Sequence, residues 1–295
     1  MLVIAVVATM TVVGLVLSTV LAAGESSGLG FGGRVAILEV EGIIADDDTF
    51  LEDVRHLRND GSVRAWVVSI NSPGGVVAPS QSLYETLRRV REEDDTPIVA
   101  AIGAVGASGG YYVALAADSI LAMPGSITGS IGVVMEYPNV SDLMDRVGVE
   151  MEIVKAGTQK DLGSPFRDMD EADRAILSAL VEDVHDQFIQ AVAEARGLSV
   201  DQVVPLADGR VLSGRQARAA GLVDRFGNLD DAIAMAGVMG GLGPTPRLVR
   251  PPSEEGEWLL DLLLGQGAAG TVRQVVRGLG TRTPGLGPAL KYIVH

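Results

Sequence analysis

Residues 65–75 read AWVVSINSPGG, an apolar run that passes directly into a glycine-rich turn. A short, continuous apolar run is typical of a strand that is buried on both faces of a parallel sheet. A second pair follows, in which residues 97–102 (PIVAAI) form the apolar run and residues 106–110 (GASGG) form the turn. Because ligands bind beyond the carboxyl ends of such strands, both turns are expected to border a functional site in an α/β fold.

The segments around these two pairs alternate between strand and helix patterns. Apolar runs predict further strands over 35–41, 119–122, 131–135 and 151–155, and helical spacing predicts helices over 79–93, 140–147 and 170–196. Asp170 is a natural N-cap for the longest of these helices. Within 211–236 the pattern predicts a short helix, a stop at Gly221 and a final helix. This alternation supports the α/β class.

The N-terminal segment is apolar and carries no charge from residue 2 to residue 23. About 21 helical residues span roughly 31 Å, close to the thickness of a bilayer core. We therefore predict a transmembrane anchor over 1–23. The alternative is a cleaved signal peptide, although the run exceeds the usual ~7–15 apolar residues and no basic residue precedes it. A glycine- and serine-rich linker is predicted over 24–33 and a globular domain over 34–240. Within 241–295 we predict a proline- and glycine-rich linker over 241–256, then an amphipathic helix and a tail.

Composition excludes several classes of function. The chain of 295 residues carries 38 acidic and 23 basic side chains, a net charge of −15, which argues against a nucleic-acid binder. It has no cysteine, so thiolate metal sites and a cysteine nucleophile are excluded. Three widely separated histidines make a three-histidine zinc site improbable.

Ser108 lies in the second glycine-rich turn, after a small residue and before two glycines. A tight backbone of this kind would project the hydroxyl, as a nucleophile requires. The free N–H groups of the two turns would stabilise an oxyanion without any charged side chain. The alternative, which the turn taken alone favours, is that Ser108 only caps the following helix.

A serine nucleophile also needs a base. The histidines are scattered and more typical of surface or core positions: His56, His185 and His295. A lysine can replace histidine in this role. A lysine amine has a pKa of about 10.4 in water, and burial can lower that pKa by several units. The candidates are Lys155, Lys160 and Lys291. Lys160 is preferred because it lies in a loop just before the long helix.

Five motifs occur in an order that resembles signal peptide peptidase A, the membrane-anchored serine proteases of the S49 type. They are NSPGG (71–75), ASGGYY (107–112), PGSITGSIG (124–132), KDLGSPFR (160–167) and DGRVLSG (208–214). The resemblance implies a nucleophilic Ser108 and a general base at Lys160. It also implies that Ser130 holds the lysine amine in place and keeps it neutral.

The same resemblance implies an oxyanion hole formed by the amide of Gly109 with that of Gly74 or Gly75. It implies a crotonase/ClpP-like fold, assembly into homo-oligomeric rings or domes, and no metal or cofactor. The substrates would be apolar peptides such as released signal peptides. The chain would be a single-pass protein of the cell membrane with its peptidase domain on the extracytoplasmic side.

Other interpretations remain open at this point. A crotonase-type enzyme would bind CoA and use no serine nucleophile. A related membrane protease would act on a stomatin-like partner, and a catalytically silent scaffold would use only the assembly. The apolar tail over 285–294 could occupy a neighbouring subunit's groove as a substrate mimic, or form a disordered terminus.

Overall fold

A computed structural model describes residues 32–252 and the backbone of residues 291–293. The predicted anchor over 1–23, most of the linker over 24–33 and the predicted amphipathic helix lie outside the described residues. Among the helices that the structure describes, none is both long enough and apolar enough to cross a membrane.

The described residues form one mixed sheet of nine strands. The strands are β1 (Arg34–Ile44), β2 (Val63–Val76), β3 (Ile98–Ala107), β4 (Ser119–Ala122), β5 (Ile127–Gly129), β6 (Val211–Ser213), β7 (Arg225–Phe226), β8 (Arg247–Val249) and β9 (Lys291–Ile293). The main path runs β6-β5-β3-β2-β1-β8. Off this path, β4 pairs with β3, β7 pairs with β4, and β9 pairs with β2. The central strands β1, β2 and β3 are parallel, as the continuous apolar runs predicted.

Helices cover both faces of this sheet. They are α1 (Asp48–Arg58), α2 (Val77–Glu93), α3 (Gly109–Ala114), α4 (Ser141–Val147), α5 (Glu171–Arg196), α6 (Val200–Val203), α7 (Gly214–Ala219) and α8 (Leu229–Met239). Alternate residues of β1 face opposite layers. Ala36 and Leu38 join the core beneath α2, α3 and α5, whereas Val35 and Ile37 join the core beneath α8. The α/β class is therefore confirmed.

Four local predictions differ from the structure, three of them at strand ends or in a linker. β2 continues through the predicted turn to Val76, because β1 still pairs with Gly74 and Gly75. The predicted strand over 131–135 is displaced to Ile127–Gly129, because the backbone turns sharply at Ser130. β8 lies within the segment 241–256 that was predicted to be a linker.

The predicted strand over 151–155 is also absent, although the segment has the apolar composition of a strand. Its apolar side chains are exposed, Val154 most of all. A strand needs a neighbour for its backbone hydrogen bonds, and the part of the chain that the structure describes supplies none here.

Candidate active site

Ser108 has a strained backbone. It lies between β3 and α3 with φ 53° and ψ −119°. Its N–H donates to the carbonyl oxygen of Gly129 at 2.8 Å, which helps to hold this conformation. Among the described residues only Asp95, Ser108 and Ser130 combine a positive φ with a side chain. Two of these three are candidate site residues, and such strain is concentrated at functional sites in proteins.

The hydroxyl of Ser108 is buried and has no hydrogen-bond partner. The residue is 1% exposed, and its Oγ is one of the few buried polar side-chain atoms without a partner in the described chain. Although Ser108 stands at the N-cap position of α3, its side chain makes no capping bond. The capping role that the turn alone favoured therefore does not account for this serine. A buried hydroxyl without a partner costs stability, which is consistent with a role in chemistry.

Ser130 directly follows β5, and Ser108 directly follows the neighbouring strand β3. β3 and β5 are parallel, and their last residues, Ala107 and Gly129, pair with each other. Both serines therefore lie just beyond the carboxyl ends of these two strands. The Thr128 hydroxyl donates to the carbonyl oxygen of Gly106 at 2.7 Å and joins the two strand ends. Ser130 is itself buried.

The glycines of the two turns are in direct contact. A Cβ at Gly109 would lie 2.5 Å from Ser80 Oγ and 3.2 Å from Gly75 N, and a Cβ at Gly110 would lie 2.7 Å from the carbonyl oxygen of Ser72. A Cβ at Gly75 would lie 2.0 Å from the carbonyl oxygen of Ile44. These close approaches require glycine, and they bring the amides predicted to bind an oxyanion to one place.

Ser72, which the sequence analysis did not single out, distinguishes the two amides of the first turn. The Gly74 N–H donates to Ser72 Oγ at 3.1 Å, and this hydroxyl donates to the carbonyl oxygen of Gly42 at 2.6 Å. The Gly74 amide therefore already has an acceptor.

The two lysines of the loop between α4 and α5 have different surroundings. Lys155 Nζ lies 2.5 Å from Asp161 Oδ1 and 2.9 Å from the carbonyl oxygen of Thr158, so its ammonium group forms an ion pair with a carboxylate. Lys160 is exposed. Because Ser108 Oγ has no hydrogen-bond partner, neither Lys160 nor a histidine is bonded to it in the described chain.

The C-terminal strand β9 lies beside the first glycine-rich turn. It is antiparallel to β2, and it pairs Ile293 with Gly74, Tyr292 with Gly75 and Lys291 with Val76. β9 also contacts α3, which begins directly after Ser108. This edge of β2 therefore accepts an extended peptide.

No three histidine, aspartate or glutamate side chains within the described residues are grouped so that they could hold a metal ion.

Comparison with known proteins gives the class of the protein, which is a peptidase. The family model described as Peptidase family S49 matches residues 91–240, a segment that contains Ser108, Ser130 and Lys160. The chain belongs to this family.

The relatives carry matching names. The candidate protease slr0021 of Synechocystis sp. is 38% identical over 213 residues, which are 72% of this chain and 76% of that protein. The candidate signal peptide peptidase SppA of Enterococcus faecium is 32% identical over 68% of this chain and 62% of its own length. The chloroplastic serine protease SPPA of Arabidopsis thaliana is 32% identical over 66% of this chain, but only 28% of its own length. These relatives support a serine protease.

Proposed function

We propose that this chain is a serine endopeptidase in which Ser108 is the nucleophile and Lys160 is the general base. The observation that carries the proposal is the buried, unpartnered Ser108 hydroxyl on a strained turn beside the Gly109 and Gly75 amides. Ser130, at the end of the adjacent strand, would orient the lysine amine. In this proposal the fold is of the crotonase/ClpP type.

The reaction has two steps. The neutral Lys160 amine takes the proton from Ser108 Oγ as that oxygen attacks the peptide carbonyl carbon, and the Gly109 and Gly75 amides hold the oxyanion. The C–N bond then breaks, and Lys160 returns the proton to the departing amine. In the second step Lys160 deprotonates a water molecule, which attacks the acyl-enzyme, releases the carboxylic acid product and restores Ser108.

Peptide is the ligand class that the sheet edge supports. β9 shows that the edge at Gly74–Val76 accepts an extended backbone, which a substrate can supply in the same antiparallel pairing. The released signal peptides implied by the family resemblance are apolar peptides of this kind. The predicted anchor over 1–23 would hold the peptidase domain on the extracytoplasmic side of the membrane, where homo-oligomers would assemble.

A serine-directed fluorophosphonate should label Ser108, because this probe reacts with an activated hydroxyl beside an oxyanion hole. Labelling of the purified chain, followed by peptide mass spectrometry, should place the adduct on Ser108, and Ser108→Ala should remain unlabelled. Ser62→Ala is the matched control, since Ser62 Oγ is also buried without a partner but precedes β2 at its far end. An adduct on another serine, or equal labelling of Ser108→Ala, would refute the proposal.

Removing residues 284–295 should increase peptide turnover at low substrate concentration. β9 occupies the strand edge that we assign to substrate, and a tethered segment competes at an effective concentration on the order of 1 mM. We expect the KM for an apolar peptide to fall by a factor on the order of 10 with kcat unchanged.

The variant Tyr292→Pro keeps the chain length but cannot form a complete strand ladder, and it should give the same change in KM. If both variants have the KM of the parent chain, β9 does not compete with substrate.

A further inference from the structure

The loop that carries Lys160 is tied to the start of α5 by a chain of charged hydrogen bonds. Arg167 Nε donates to Asp161 Oδ2 at 3.0 Å, and Arg167 Nη1 donates to Asp173 Oδ2. Asp161 is the residue directly after Lys160, whereas Asp173 lies in the first turn of α5. We propose that Asp161 and Arg167 are positioning residues that fix Lys160 relative to the sheet, an inference that rests on the proposed function.

The burial of this cluster separates it from an ordinary surface ion pair. The side chain of Asp173 is 1% exposed and that of Asp161 is 9% exposed, while Arg167 is partly covered. One guanidinium group bonds two carboxylates at once, which its planar fork allows and a lysine ammonium does not match. The hydrogen bond from Arg167 is the main reason that the pKa of each carboxyl group lies below its ordinary value. Both aspartates are therefore charged at neutral pH.

Asp173, at the helix end of this hydrogen-bond network, is held rigidly. The Asp173 N–H donates to Asp170 Oδ1 at 2.7 Å, and Asp173 accepts in return from the Asp170 N–H, so the two form a capping box. The helix that they begin is 26 residues long and packs Val184 and Phe188 into the core. A loop bonded to this helix end is held relative to the same core as β3.

The loop itself has only local backbone order around Lys160. The Lys160 N–H donates to the carbonyl oxygen of Gly157 at 3.2 Å, and that of Leu162 donates to Gln159 at 3.1 Å. These turns fix the shape of a few residues but not their place in the molecule. The link from Asp161 through Arg167 to Asp173 supplies a long-range connection on the Lys160 side of the loop, and the Val140 N–H, which donates to the carbonyl oxygen of Pro165 at 2.8 Å, supplies another farther along.

Arg167→Met should lower kcat for peptide hydrolysis by a factor on the order of 10 to 100 and leave KM within about twofold, since a base displaced by about 1 Å can lose this much. Asp161→Asn should behave in the same way, and Arg167→Lys should recover part of the loss because it restores the charge.

Lys155→Met is the matched control. Lys155 Nζ bonds the same Asp161 and the carbonyl oxygen of Thr158, neither of which belongs to α5, so its removal should leave kcat unchanged.

A double-mutant cycle separates positioning from a general structural effect. In the Lys160→Met background, Arg167→Met should cause no further loss in the rate at which a fluorophosphonate labels Ser108, because the residue to be positioned is gone. Thermal unfolding of each variant should show that it remains folded.

Additive losses in this cycle, or a kcat of Arg167→Met within twofold of the parent value, would overturn the positioning role. Failure of the proposed function would look different, because Lys160→Met would then hydrolyse peptide at the parent rate.

Discussion

Replacing Lys160 with methionine should reduce peptide hydrolysis by a factor on the order of 10³ while the chain stays folded. General-base catalysis contributes roughly 10²–10⁴ to such reactions, and no histidine of the described chain is bonded to Ser108 to take over the role of the lysine. The stability cost should be small, because the Lys160 side chain is exposed. The measurement is kcat and KM on an apolar peptide, with thermal unfolding of the same samples.

The arginine variant gives this prediction a second readout. Lys160→Arg should not restore activity, because a guanidinium group keeps its proton throughout the accessible range. Parent-like turnover in Lys160→Met would exclude the Ser108–Lys160 pair.

Gly109→Ala should lower kcat by about 10²–10³, the range reported for losing one oxyanion-hole donor. The added Cβ would lie 2.5 Å from Ser80 Oγ and 3.2 Å from both Gly74 Cα and Gly75 N. It would therefore push apart the two segments whose amides we assign to the oxyanion. Kinetics with an apolar peptide and the rate of fluorophosphonate labelling would both measure the loss.

The closest of these contacts can be relieved without touching the site. Ser80 Oγ donates to the carbonyl oxygen of Val76, the last residue of β2 and the N-cap of α2, and the loss of this bond should cost little. Ser80→Ala alone should resemble the parent chain, and adding it to Gly109→Ala should recover about tenfold in kcat, within the range for relieving such a misplacement. Gly61→Ala is the control, since a Cβ there meets nothing within 4 Å. If Gly109→Ala is fully active, the Gly109 amide does not bind the oxyanion.

The sequence predicted the parts of this site that depend on local pattern. Short apolar runs indicated parallel strands, and the glycines after them indicated tight turns, so the neighbourhood of Ser108 and Gly75 was accessible from residues alone. Whether Ser108 capped a helix was open, because the direction of one hydroxyl depends on a backbone angle that no pattern specifies. The Ser108 side chain makes no capping hydrogen bond, which excludes that simple role.

Long-range contacts were not accessible in this way. Ser72, which accepts the Gly74 N–H, and Asp173, which accepts from Arg167, look like ordinary turn and helix-end residues in the sequence. The strand predicted over 151–155 fails for a related reason, since strand propensity is realised only when a neighbouring strand is present. The roles of Lys160 and Ser130 stay predictions.

The contact between the glycine pairs also limits how the protein can vary. Gly75, Gly109 and Gly110 each face main-chain or side-chain atoms closer than any Cβ could approach. An inhibitor that binds across these three positions would rest on atoms that no single substitution can enlarge without damaging the enzyme. Escape from such a compound would have to come from more distant positions.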